Sequence, residues 1–131
     1  MSIQDARHLV LERYMAALDA GDYEAILSLF DDGARVVSPF LGNMDAVAFF
    51  GKLSAASSEN NITPMGIFLA ADDTPQATAY FQYDWTLKDG TKVTFKVMDL
   101  FTFSSGSDKI SQMDIIYDTH TIRETTGDKY G

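Results

Sequence analysis

Cysteine is absent from the chain, which excludes a disulfide framework, a thiol nucleophile and a thiolate metal site, and suits the reducing cytoplasm in which the protein is expected. No run of about 18 apolar residues occurs, so a membrane-spanning helix is not expected. Nor does a basic segment followed by an apolar run open the chain, and export is not expected either. Histidine occurs only at His8 and His120, with no spaced carboxylate motif around either, so no metal or other cofactor is expected. Basic residues are also scarce: ten Lys and Arg stand against nineteen Asp and Glu, a formal charge of −9. Phosphate recognition needs clustered Lys and Arg, so nucleic acid is not expected as a partner. The acidic surface reads as a solubility feature.

What is present is a foldable core. Apolar residues make up 46% and aromatic residues 12% of 131 positions, enough for one folded domain over residues 1–131 and too few for two. In the first half, Ile3, Ala6, Val10, Tyr14 and Ala17 recur at helical spacing, with Gly21 as a stop. Asp22 is placed to cap a second helix carrying Tyr23, Ile26, Leu27 and Phe30, ended by the turn Asp31-Asp32-Gly33. A short strand from Ala34 to Ser38 stops at Pro39, and Asn43 caps a third helix with Val47, Phe49, Phe50 and Leu53. Ser57 to Asn61 reads as its exit loop. From Ile62 the period changes, and Ile62 to Ala71, Gln76 to Leu87, Thr91 to Phe103 and Ile110 to Tyr117 read as strands of an antiparallel sheet.

Asp99 stands out within this sheet. Successive strand side chains alternate faces, so its carboxylate shares the side of Val97 and Phe101, in the core or in a pocket opening into it. An unpaired buried carboxylate is so unfavourable that it stays protonated, finds a donor or serves a function. The pair Asp89-Gly90 is a hairpin signal whose two-residue form needs positive φ at both positions. Pairing Lys88 with Thr91 then sets Asp99 opposite Tyr80 and Val97 opposite Gln82, placing Tyr80, Gln82, Asp84 and Thr86 on the Asp99 face. Phe81, Tyr83, Trp85 and Leu87 fall on the other face, beside Met98 and Leu100. An apolar face turned away from the helices calls for a partner, and a homodimer through Phe81, Tyr83 and Trp85 is the expected one.

The run ERYMAALDAGDYEAILSLFDDGARVVSP from Glu12 to Pro39 resembles the opening of ketosteroid isomerases. The segments VMDLFTF, from Val97, and KISQMDIIY, from Lys109, resemble their closing strands. The same architecture is shared by SnoaL-like polyketide cyclases and the wider nuclear-transport-factor-2-like group. The resemblance implies an α+β cone, with three N-terminal helices packed on a curved, mostly antiparallel sheet around a pocket. Within that group the cone hosts isomerases, dehydratases, epoxide hydrolases, cyclases and plain binding proteins, so the fold does not choose a reaction.

Position by position, Tyr14 falls where the isomerases keep their oxyanion-hole tyrosine, and Asp99 where they keep a protonated aspartate. The base does not carry over. Ser38, before Pro39, stands where the family has its catalytic aspartate, and an unactivated hydroxyl does not abstract a carbon-bound proton near neutral pH. Phe50 stands where a supporting tyrosine is kept. Asp84, on the expected Asp99 face, and His120, after the last strand where a C-terminal segment could fold over the pocket mouth, are the candidate replacement bases. Ser38, Phe50, Tyr80 and Gln82 are expected to line the pocket, joined by Val97, Phe101, Met113 and Tyr117. Two readings follow. One is a small-molecule enzyme using cofactor-free acid and base chemistry, of isomerase, cyclase or lyase type, on an apolar carbonyl-bearing ligand. The other is a non-catalytic binding or interaction module that kept the cone and lost its base.

Overall fold

The computed structural model describes residues 2–120. Its first helix, α1 (Ile3–Ala20), starts at a reciprocal cap: Ser2 Oγ accepts from the Asp5 N–H, and the Asp5 side chain accepts from the Ser2 N–H. Gly21 ends it in the left-handed region, φ 68°, donating to the carbonyls of Ala17 and Leu18. Val10, Leu11, Tyr14, Met15 and Leu18 form its buried stripe. Next come α2 (Tyr23–Leu27), β1 (Phe30–Ser38), β2 (Gly42–Asp45), α3 (Ala46–Ala56), β3 (Ser57–Leu69), β4 (Gln76–Leu87), β5 (Lys92–Phe103) and β6 (Ile110–Ile116). One six-stranded sheet, ordered β2-β1-β6-β5-β4-β3, is antiparallel everywhere except between β1 and β6. Irregularities in the β1–β6, β3–β4 and β5–β6 pairings bend it. The three helices lie against this curved sheet as an α+β cone.

Several boundaries differ from those expected, each because tertiary pairing outweighs local pattern. The second helix does not reach Phe30. The Leu29 carbonyl accepts from the Ile110 N–H at 3.0 Å, and Phe30 begins β1, its ring edge-on to Phe50 with centroids 5.5 Å apart. Asp31-Asp32-Gly33 is consequently no turn between elements. It lies within β1 at a break in register between Phe30 and Arg35, with Gly33 at φ 73°. Asn43 does not cap α3: its Oδ1 accepts from Arg35 Nε at 2.9 Å across the β1–β2 hairpin, and Asp45 caps instead, accepting from the Val47 N–H. Ser57 to Asn61 is not a loop. It pairs with β4 as the first part of an edge strand, where alternate side chains face solvent and polar residues are no obstacle.

The β4–β5 hairpin carries the largest correction. The Leu87 N–H donates to the Thr91 carbonyl at 2.8 Å, enclosing three residues, Lys88-Asp89-Gly90. Of these only Gly90 has positive φ, 88°, as in a turn closed by a glycine bulge. Asp89 Oδ1 accepts from the Thr91 N–H and is satisfied without a left-handed backbone. Asp99 therefore pairs with Ala79 and Val97 with Phe81, one residue away from the expected register. A slip of one flips a whole strand. Phe81, Tyr83 and Trp85 thus turn inward beside Val97 and Asp99, and Tyr80, Gln82 and Asp84 turn outward. The residues expected to hold a homodimer together face the interior of the cone.

Candidate active site

Asp99 lies on the sheet floor, midway along β5 between Ala79 of β4 and Ile115 of β6. It is 2% exposed, and its Oδ1 has no hydrogen-bond partner. Burial pushes its pKa from 3.8 up to about 8, while the Tyr14 hydroxyl, donating toward the carboxyl, pulls it the other way. Burial wins because the surroundings are apolar: Val97 and Phe101 flank Asp99 on its own strand, and Phe81 adjoins Val97 across the hairpin. At neutral pH the carboxyl is mostly protonated and able to donate. Tyr14 comes to it from α1, with its ring edge-on to Phe101 and Phe50 at centroid distances of 4.9 and 6.4 Å. Its own pKa is raised, first by burial and then by the neighbouring Asp99 charge, so it too keeps its proton.

Above this pair opens a cavity of about 320 Å³, large enough for a small organic ligand. Its walls are aromatic. Tyr83 stacks on Phe95 with centroids 5.3 Å apart, Phe95 meets Tyr117 at 5.0 Å, and Trp85 lies against Tyr83 at 5.9 Å. Polar tips anchor these rings from behind. Tyr83 Oη donates to Asn60 Oδ1 at 3.0 Å, and Trp85 Nε1 donates to Ser57 Oγ at 2.7 Å, so the supposed exit loop of α3 supplies both acceptors. Ser38, at the end of β1, lines the cavity and accepts from the Leu41 N–H at 3.2 Å. From α3, Phe49, Lys52, Leu53 and Ala56 also line it.

A sequence model of the SnoaL-like domain matches residues 11–113, most of the chain. The chain belongs to the SnoaL-like domain family. No curated protein matches the sequence significantly. Among solved structures, the chain is similar to TerC co-crystallised with polyporic acid, at 18% identity and TM-score 0.74 over 92% of this chain and 97% of that one. It is likewise similar to SalBIII, an epoxide hydrolase/cyclase-like enzyme in pyran ring formation in the polyether salinomycin, at 19% identity and TM-score 0.76 over the same shares, 92% and 97%. An NTF2-like protein of unknown function from Burkholderia pseudomallei superposes with TM-score 0.78 at 14% identity, over 97% of this chain and 99% of that one. At these identities the likeness is one of fold.

In this SnoaL-like domain, Tyr14, Ser38, Val97, Asp99 and Tyr117 converge on one cavity. Phe50, Phe101 and Met113 do not line it; each is 0% exposed in the core behind it. Tyr80, Gln82 and Asp84 lie on the opposite sheet face. Asp84 accepts there from Thr94 Oγ1 at 2.7 Å and is no candidate base for this cavity. His120 is exposed outside the lining, its backbone N–H held by Asp118 Oδ1 at 3.0 Å. The rest of the C-terminal segment that could fold over the pocket mouth, from residue 121 on, lies outside the described residues. Phe81, Tyr83 and Trp85 are lining residues that sequence reasoning assigned elsewhere. Their signal was available: alternation makes Phe81-Tyr83-Trp85 the apolar set of β4 and Tyr80-Gln82-Asp84 the polar set, and the apolar set belongs inside. Among the described residues no group of His, Asp and Glu is arranged to hold a metal, and no helix is long and apolar enough to cross a membrane.

Proposed function

We propose that this SnoaL-like domain acts on an apolar small molecule whose carbonyl, enol or ether oxygen seats between Tyr14 and Asp99, and that its chemistry is cofactor-free and led by the acid. The carrying observation is the buried Asp99 carboxyl, with an unpartnered Oδ1 beside Tyr14 at the base of an aromatic cavity. Two protonated donors in a dry site stabilise negative charge developing on a substrate oxygen, typically by about 2.7–4 kcal/mol per donor. Among the described residues Asp99 is the only carboxyl on the lining, and it is held neutral, while Ser38 Oγ already accepts from the Leu41 N–H. Chemistry that begins by polarising or protonating oxygen, as in ring opening, cyclisation or elimination, suits such a site better than removal of a carbon-bound proton. The fold likeness to an epoxide hydrolase/cyclase-like enzyme is in keeping with this.

Ser38 also supports a second reading, a binding module whose catalytic base is gone. Calorimetric titration with 2-naphthol, a planar phenol, tests the shared premise. Binding should weaken at least tenfold in Tyr14→Phe and in Asp99→Leu, and binding indifferent to both changes would remove the site. A β,γ-unsaturated ketosteroid should not be isomerised by the wild type, whereas Ser38→Asp should confer weak turnover. Robust wild-type isomerisation would show that a base has been overlooked.

A further inference from the structure

Phe49, Lys52, Leu53 and Ala56 lie at i, i+3, i+4 and i+7 of α3, and all four line the cavity. That spacing defines one helix face, the face expected to be apolar throughout. Lys52 breaks the pattern. Among the described residues no other lysine or arginine lines the cavity, and the Lys52 ammonium group makes no hydrogen bond or ion pair. Lys52 is exposed overall while lining the cavity, the situation in which a lysine lays its stem along apolar surface and keeps its charged end in water. A residue that violates the local pattern with no structural partner is a mark of a functional position. Charge sharpens the point. With Asp99 neutral on the floor, the described residues of the lining carry a single formal charge, positive, in a protein of net charge −9. Elsewhere the protein repels anions, and at this opening it attracts them.

We infer that the ligand of this pocket is an elongated aromatic molecule with an oxygen at its inner end and an anionic carboxylate-type group at its outer end, which Lys52 receives. This rests on the proposal that Tyr14 and Asp99 bind the inner oxygen. Lys52 is a binding residue in this scheme and takes no part in proton transfer. Selectivity follows: neutral aromatics of the same shape enter, but the anionic form is retained.

The test compares 2-naphthol with 6-hydroxy-2-naphthoate, which adds a carboxylate at the far end of the same ring system, by calorimetric titration at pH 7 and low salt. The carboxylate should bind about fivefold tighter to the wild type, the scale of one partly exposed ion pair, and the preference should shrink in high salt. Lys52→Gln should abolish or invert it. Lys96→Gln, on the outer sheet face opposite Gln82, makes the same change in net charge and should leave it intact. Equal wild-type affinities, or a preference that survives in Lys52→Gln, would overturn the inference while leaving the Tyr14 and Asp99 site standing. Failure of both ligands to bind would overturn both.

Discussion

Replacing Asp99 with asparagine keeps a donor of nearly the same shape and removes one titration, so it isolates what the buried carboxyl does to the fold. Below pH 3.8 the carboxyl is protonated in the folded and unfolded chains alike and contributes no pH dependence. Between 3.8 and about 8 the unfolded chain has released this proton while the folded chain retains it. The unfolded state then binds fewer protons, and stability falls as pH rises. Above about 8 both states are ionised and the dependence ends. Across this window the slope approaches about 1.4 kcal/mol per pH unit, roughly 6 kcal/mol in all, comparable with the whole stability of a small domain. The remaining carboxylates titrate in both proteins and cancel from the difference. Urea unfolding of wild type and Asp99→Asn at pH 4.5, 6, 7.5 and 9 should therefore show a stability gap that widens in favour of the variant up to about pH 8 and then levels. Any constant offset from the hydrogen bonds of the amide does not change with pH. A gap that stays flat or narrows with rising pH would mean a solvated or ion-paired carboxylate, and the neutral donor role would fall with it.

Phe101→Ala should destabilise the protein by about 3–5 kcal/mol in the same assay, because a ring that is 0% exposed leaves a cavity; it should also weaken 2-naphthol binding, since Tyr14 loses the ring it rests on. Asp84→Asn, on the outer sheet face, should leave 2-naphthol affinity within twofold and stability within about 1 kcal/mol; a large loss of affinity would mean that β4 presents its other face to the pocket. Gly90→Ala should lower stability by about 1 kcal/mol, since alanine is strained at the observed φ of 88°; no change in the melting curve would speak against the three-residue hairpin loop.

The helical first half and the strand-rich second half were legible because apolar periodicity is set locally. The stop of α1 at Gly21 is the expected one, and β4 keeps its expected limits, Gln76 and Leu87. What local pattern does not carry is the competition between neighbouring solutions. Phe30 fits the apolar stripe of α2, yet it is held in β1 by Ile110, eighty residues further on. The hairpin register turned on whether Lys88 belongs to the strand or to the loop, and that single residue decided which of two aromatic or polar sets faced Asp99. Tyr14, Ser38 and Asp99 were legible by resemblance and by the oddness of an acid on an apolar strand face. Asp84 was misplaced by register alone. Lys52 is not legible in the sequence: an isolated lysine on a helix is ordinarily a solvated one, and only the position of α3 against the cavity makes it unusual.

A fold selected only for stability has no reason to keep a carboxyl at Asp99. The position is enclosed by apolar side chains, its Oδ1 is unpaired, and leucine or asparagine would relieve the penalty of burial. Nor, among the described residues, does Asp99 repay it through an ion pair, since none is formed there and the one basic lining residue, Lys52, is exposed. Among the described residues the one group that engages the carboxyl is the Tyr14 hydroxyl, another donor with a raised pKa. Two groups that both hold protons satisfy each other only in part, leaving donor capacity directed at the cavity. That surplus is useful only when an acceptor oxygen enters. Stability withheld at one residue in this way is the usual companion of a working site, and here it favours a pocket built around a ligand oxygen over a cone that merely persisted after losing its base at Ser38.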